Sequence, residues 1–253
     1  MAGVSKLSER IRLASKTTHA PMGFAAAARA PVSTLLCIVR LPANDVNKAG
    51  EAAEGGADAV IIDRANEGKL KDQVNKAQRI GFGVYAEETD RKHVAALRNA
   101  GADFVVLNIQ SALAEALLEE KIGFVLTIDG EVDDTRLRML GGLGLDALVV
   151  PPASEPLTLE RLLELRRIAA LTRTPLLTQV AADAGAAYLQ ALRESGVAGV
   201  IVDSSSIGKL GRLRETIAAL PARGRERQER AEATLSTPVL VGANSDDFDD
   251  DDD

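Results

Sequence analysis

The chain has 253 residues, of which 46% are hydrophobic and only 3% aromatic, so its core must be built mainly from aliphatic side chains. The formal net charge is −7, and seven of the last eight residues, 246–253, are aspartates. Because no basic stripe carries interleaved aromatic residues, the sequence argues against a nucleic-acid-binding surface. No apolar run reaches the roughly 18 residues needed to span a membrane, and the N-terminus lacks the apolar centre of a secretory signal. We therefore expect a cytoplasmic protein that does not bind membranes.

The first predicted element is a short helix at residues 4–16. Leu7, Ile11 and Ala14 fall on one face at helical spacing, and Ser5 is placed to cap the helix. This pattern predicts a helix that covers the bottom of the core.

From residue 31 onward, apolar runs alternate with helical patterns. Eight of these runs are predicted strands, at residues 32–40, 58–63, 80–87, 104–108, 124–129, 147–150, 175–180 and 200–203. Because the runs are uniformly apolar, they are typical of parallel strands that are covered on both faces.

A repeated glycine precedes every second strand. It stands in the tripeptides Gly56-Ala57-Asp58, Gly101-Ala102-Asp103, Gly144-Leu145-Asp146 and Gly196-Val197-Ala198. A helix commonly ends in a left-handed residue, which favours glycine, and the aspartate can accept backbone hydrogen bonds. Four copies of a two-unit repeat predict an α/β fold, the closed (β/α)8 TIM barrel. An open doubly wound sheet is the alternative, although no strand is followed by Gly-x-Gly-x-x-Gly.

The barrel is expected to occupy residues 31–222. Residues 1–30 are predicted to form the N-terminal helix and a linker, and residues 223–253 a charged extension whose acidic tail is disordered. The tail could be a solubilising terminus, or it could dock a basic partner or a cation.

In such a barrel the reacting groups come from the C-terminal ends of the strands. Glu87 and Asp129 occupy equivalent positions in the repeat, and with Asp63 they are the candidate catalytic residues. The candidate substrate-binding residues are Arg40, Asn108, Gln179, Asp203 and the three serines Ser204, Ser205 and Ser206.

Carboxylates from several strands could be used in three ways. They could hold Mg²⁺ or Mn²⁺, for which Glu87 and Asp129 are the candidate ligands. They could instead act as a general acid and base. A third interpretation is structural, because an aspartate at a strand end often caps the next helix; it applies chiefly to Asp63 and Asp203.

The three serines follow the last strand, where many TIM barrels bind phosphate with backbone N–H groups. The eighth strand–helix unit therefore resembles those of phosphate-binding barrels. The same turn serves equally well as a helix cap, and Asp183, in the loop after the seventh strand, would repel phosphate.

Histidine and cysteine chemistry is disfavoured. The two histidines are His19, in the linker, and His93, in a helical pattern, so a zinc site or a histidine-based triad is not expected. Cys37 lies in an apolar run and is predicted to be a buried, unreactive thiol rather than a nucleophile.

Residues 38–62, which contain the motif Arg40-Leu41-Pro42-Ala43-Asn44-Asp45, resemble a segment of the metal-dependent pyruvate aldolases of the HpcH/HpaI type. In that family the arginine of the motif binds the substrate carboxylate. The resemblance implies this role for Arg40.

These features predict a TIM-barrel enzyme that acts on a small anionic metabolite, a carboxylate or a phosphate, by lyase or isomerase chemistry. The alternative is a non-catalytic barrel that serves in binding or assembly through its acidic tail. Either form could be a homo-oligomer.

Overall fold

The computed structural model describes residues 5–16, 34–64, 67–76 and 79–221. The strands are β1 (Leu36–Leu41), β2 (Ala59–Asp63), β3 (Gly81–Ala86), β4 (Phe104–Asn108), β5 (Gly123–Thr127), β6 (Ala147–Val150), β7 (Leu176–Gln179) and β8 (Val197–Asp203). They are parallel, each pairs with the next in chain order, and β8 pairs with β1. The predicted TIM barrel is confirmed. The predicted linker and acidic tail lie outside the described residues.

The helices are α1 (Lys6–Lys16), α2 (Ala49–Glu54), α3 (Glu67–Lys76), α4 (Arg91–Asn99), α5 (Asp134–Gly141), α6 (Leu159–Thr172), α7 (Ala186–Glu194) and α8 (Leu210–Ala218). An α-helix follows every strand except β4, whose connection contains only the 3-10 segment Ala114–Leu118. There the chain turns at once, because Asn108 Oδ1 accepts a 2.8 Å hydrogen bond from Gln110 N. Within the described ranges, no helix has the length and apolar character that a membrane span requires.

The barrel interior is filled by layers of four side chains, and alternate strands supply each layer. The strand registers define an aliphatic layer from the even strands, Ile61, Val106, Val149 and Ile201. Beneath it lie two further layers, Ile38, Gly83, Val125 and Leu177, and then Ala59, Phe104, Ala147 and Gly199. The large ring of Phe104 fits because glycine stands at position 83, where a Cβ would lie 2.2 Å from the ring.

Helix α1 closes the bottom of the barrel. Leu7, Ile11 and Ala14 are buried and belong to the same apolar cluster as the interior layers. Ser5 caps the helix by accepting a 3.0 Å hydrogen bond from Ser8 N. The predicted cap and the predicted cover over the core are both confirmed.

The repeated glycines have the predicted conformation. Gly56, Gly101, Gly144 and Gly196 have φ angles of 94°, 99°, 69° and 101°, in the region that favours glycine. A glycine in a left-handed conformation thus stands shortly before each of the even strands β2, β4, β6 and β8.

The repeated aspartates hold neighbouring chain segments at the bottom of the barrel. Asp58 accepts a 2.9 Å hydrogen bond from Cys37 N and forms an ion pair with Arg10 of α1. Asp103 accepts hydrogen bonds from the first two backbone N–H groups of α1, those of Lys6 and Leu7. These carboxylates therefore serve the scaffold at the end of the barrel opposite the predicted site.

Candidate functional site

A pocket of about 210 Å³ opens at the C-terminal ends of the strands. Its floor is the aliphatic layer of the even strands described above. The layer above the floor comes from the odd strands and is polar. It consists of Arg40 of β1, Tyr85 of β3, Thr127 of β5 and Gln179 of β7.

Two members of this polar ring, Arg40 and Gln179, are predicted from the sequence, and two, Tyr85 and Thr127, are not. The signal that would have found them is positional. In a barrel of eight strands, the residue equivalent to Arg40 on every other strand points to the same layer. Tyr85 and Thr127 are not predicted, because each stands two residues before the end of its predicted strand rather than at the end.

Arg40 is held on two sides. Its Nε donates to both carboxylate oxygens of Asp63, at 3.0 and 3.2 Å, and its guanidinium lies over the Tyr85 ring, 5.5 Å from the centroid. Such a cation–π contact attracts the guanidinium to the face of the ring. Both Nη groups of Arg40 have no hydrogen-bond partner within the described part of the chain. They are the donors that an anion entering the pocket would meet.

Asp129 is the other charged residue among the described residues that line the pocket. It follows β5, and its Oδ2 accepts a 3.3 Å hydrogen bond from Asn108 Nδ2. Among the described residues it forms no ion pair. The sequence predicts both residues at strand ends, and the structure brings them into contact at the mouth.

Glu87 lies at the mouth but does not line the pocket. Its half-exposed carboxylate pairs with Arg64, at 2.5 Å, and its backbone oxygen accepts a hydrogen bond from Ser111 Oγ. Arg64 has a φ of 49°, which is unusual for a residue with a side chain. Glu87 is therefore paired with an arginine of the β2–α3 loop and does not converge with the other carboxylates on one point.

Asp203 is not a helix cap. It stands before the 3-10 segment Ser204–Lys209, yet its side chain makes no capping hydrogen bond. Both of its carboxylate oxygens instead accept from Gln179 Nε2, at 3.2 Å each. The capping interpretation is wrong for Asp203.

The serine turn is already bonded to a carboxylate. Ser204 Oγ donates a 3.1 Å hydrogen bond to Asp45, which is also paired with Lys48 at 3.0 Å. The hydrogen bond from Lys48 holds the pKa of Asp45 below its usual value, so this carboxylate is charged at neutral pH. Ser205 is exposed and Ser206 half-buried.

The start of α7, which follows β7, also faces a carboxylate. Gly185 N donates a 3.0 Å hydrogen bond to Glu155 Oε1. Tyr188, one turn along α7, anchors the same loop by donating a 2.7 Å hydrogen bond to Ala153 O. Burial and the nearby Glu155 charge both raise the pKa of Tyr188, so its hydroxyl remains a donor.

The donor set does not fit a resident divalent cation. Mg²⁺ and Mn²⁺ require several oxygen ligands converging on one point. In the part of the chain that the structure describes, no three side chains of His, Cys, Asp or Glu come together in this way. Of the two predicted ligands, only Asp129 lines the pocket.

No family model and no curated protein matches the sequence. The structure is similar to KGPDC from Streptococcus mutans, with a TM-score of 0.62 and 9% identity over 75% of this chain and 99% of that chain. It is also similar to tryptophan synthase from M. tuberculosis, with a TM-score of 0.61 and 12% identity over 85% of this chain and 98% of that chain. The likeness is one of fold. At such low identity, the reaction has to be argued from the pocket itself.

Cys37 has the buried position predicted from its apolar run. Cys37 is fully buried in β1, and burial raises its pKa to about 12, with the Asp58 charge adding to the effect. His93 is exposed on α4. His19 lies outside the described residues.

Proposed function

We propose that the protein is an enzyme that binds a small anionic metabolite in the pocket at the C-terminal mouth. The observation that carries this proposal is the state of Arg40. Its Nε is fixed by Asp63 and its face by Tyr85, while the Nη donors have no partner among the described residues. An arginine preorganised in this way binds an anion without first having to be ordered.

A carboxylate is the anion that this pocket favours. Phosphate-binding barrels use the loops after the seventh and eighth strands. Here Glu155 occupies the start of α7, and Asp45 bonds to Ser204 of the serine turn. A phosphate would have to displace or face these charges, whereas a carboxylate at Arg40 would not.

Asp129 is our candidate acid–base residue, because among the described residues that line the pocket it is the one carboxylate. A positioned carboxylate can remove a proton from a carbon activated by a neighbouring carboxylate or carbonyl, and can return it elsewhere. This supports lyase or isomerase chemistry. Asp63 would then orient Arg40, and Glu87 would orient Arg64.

The test begins with capture of a ligand. Purified protein is incubated with a cellular metabolite extract and desalted, and the retained anions are identified by mass spectrometry. We expect Arg40→Gln to lower the affinity for the retained compound roughly 10- to 100-fold, as loss of a charged hydrogen bond does. Arg64→Gln is the matched control, since Arg64 is an exposed arginine at the same mouth that does not line the pocket. Retention that is indifferent to Arg40→Gln would count against the proposal.

The captured compound is then assayed for turnover. Asp129→Asn should abolish most of the activity, while the variant still binds the compound through Arg40. Glu131→Gln, an exposed carboxylate in the same loop outside the pocket, should leave activity unchanged. Full turnover by Asp129→Asn would remove Asp129 from the mechanism.

A further inference from the structure

The pocket carries one positive and one negative side chain on opposite sides. The barrel is closed in the order β1 to β8, so β5 lies diametrically across from β1. Arg40 belongs to β1, and Asp129 follows β5 by two residues. Of the pocket-lining residues in the described chain, these two alone are charged.

The two charges differ in how far they are neutralised. Arg40 is paired with Asp63, at 3.0 Å. Asp129 has only the neutral amide of Asn108 as a partner, at 3.3 Å, within the described residues. The Asp129 carboxylate is therefore available to pair with a positive group of a ligand. A second anionic group placed beside it would be repelled.

The surface between the two charges is apolar. The floor consists of Ile61, Val106, Val149 and Ile201, and Pro151 and Pro152 lie beside it. A hydrocarbon segment that joins the two ends of a ligand would bury its methylene groups on this floor. The pocket volume of about 210 Å³ suits a small molecule.

Resting on the proposed function, we infer that the substrate class is an amino-bearing carboxylate. Its carboxylate binds the Nη groups of Arg40, its hydrocarbon body lies on the aliphatic floor, and its ammonium group pairs with Asp129. A dicarboxylate of the same length is disfavoured, because its second carboxylate would face Asp129.

Three six-carbon probes test this inference by isothermal titration calorimetry: 6-aminohexanoate, hexanoate and adipate. They share the first carboxylate and the chain length and differ only at the far end. We expect 6-aminohexanoate to bind at least about tenfold more tightly than hexanoate, and adipate to bind more weakly than hexanoate. Asp129→Asn should remove both differences, while Glu131→Gln should preserve them. Because Asp129 is exposed, its substitution is not expected to unfold the barrel, and circular dichroism checks this.

The outcomes separate the two proposals. Arg40-dependent binding in which adipate equals or exceeds 6-aminohexanoate overturns the amino-carboxylate inference and leaves the anion site standing. The same holds if the preference for 6-aminohexanoate survives in Asp129→Asn. Binding of hexanoate that is unchanged in Arg40→Gln, or no saturable binding of any probe, overturns the anion site itself.

Discussion

The Ser5 hydroxyl donates a 2.5 Å hydrogen bond to Asp146 Oδ2, across 141 positions of sequence. Ser5 is at the same time the cap of α1, so a single hydroxyl joins the cap to the barrel. Asp103 reinforces the junction by accepting from two backbone N–H groups of α1. Asp103 and Asp146, two aspartates of the repeat, thus form a socket for α1, the helix that closes the barrel bottom.

This socket should make stability depend on pH. Burial raises the pKa of Asp146, and the Asp103 charge raises it further, although the Ser5 hydrogen bond opposes the shift. An acid whose pKa is higher in the folded state stabilises the fold fully below its unfolded-state pKa, and that contribution is lost as pH rises through the folded pKa. Asp146→Asn, which keeps an oxygen acceptor for Ser5, should therefore gain stability relative to the natural protein as pH rises from about 4 to 7.

Urea unfolding at several pH values measures this difference. Asp133→Asn supplies a control of opposite sign, because the hydrogen bond from Arg136 N lowers the pKa of Asp133 at the cap of α5. That variant should lose stability relative to the natural protein as pH rises through the lowered folded-state pKa of Asp133 to about 4, and should change little from about 4 to 7. Parallel curves for Asp146→Asn and the natural protein would contradict the socket argument.

Helix α1 should contribute measurably to the stability of the whole barrel. Leu7 is fully buried against the interior layers, and Leu7→Ala should lower the free energy of unfolding by about 2–5 kcal/mol. Leu13, on the same helix, is 49% exposed, and Leu13→Ala should change it by no more than about 0.5 kcal/mol. Chemical denaturation compares the two. Equal effects would mean that α1 does not belong to the cooperative core.

The parts of the fold that follow from the sequence are those written into its repeat. The four glycines at positive φ and the alternation of apolar runs depend on local backbone preferences, which a single chain reveals. The β4 to β5 connection departs from the expected helix because the Asn108 side chain forms a turn. A turn of this kind competes with a helix over only a few residues, and periodicity does not reveal which one wins.

The candidate site is predictable in its location and less so in its pairings. Strand ends identify Arg40 and Asp129, since all parallel strands finish at one face. The pairing of Arg40 with Asp63, and of Arg64 with Glu87, depends on side-chain rotamers and on a left-handed residue at Arg64. Rotamers and contacts between neighbouring strands cannot be read from one stretch of sequence. The carboxylates that were expected to converge are therefore found in separate ion pairs.

The Cys37 thiol should react very slowly with thiol reagents in the native protein. Its raised pKa, about 12, leaves very little thiolate at pH 8, and the side chain is fully buried. We expect Ellman's reagent to react with it at least two orders of magnitude more slowly in the folded protein than in guanidinium chloride, on the order expected for a protected thiol. A native rate within about tenfold of the denatured rate would show that β1 is open to reagent.

Gly83 should tolerate no larger residue without a loss of stability. A Cβ at this position would lie 2.2 Å from the Phe104 ring, which is itself fully buried and cannot move aside. Gly83→Ala should therefore destabilise the protein by about 1–3 kcal/mol or more through overpacking. A Cβ on Gly211 in α8 would meet no atom of the described residues within 4 Å, so Gly211→Ala should instead stabilise by about 0.5–1 kcal/mol.

A double variant decides whether the clash is the cause of the Gly83 effect. Phe104→Leu alone should be destabilising, because it leaves a cavity in the interior layer. Combined with Gly83→Ala, the added methyl group would fill part of that cavity, so the two losses should be clearly less than additive. Strict additivity of the two free energies of unfolding would show that Gly83→Ala acts through the backbone of β3 rather than through Phe104.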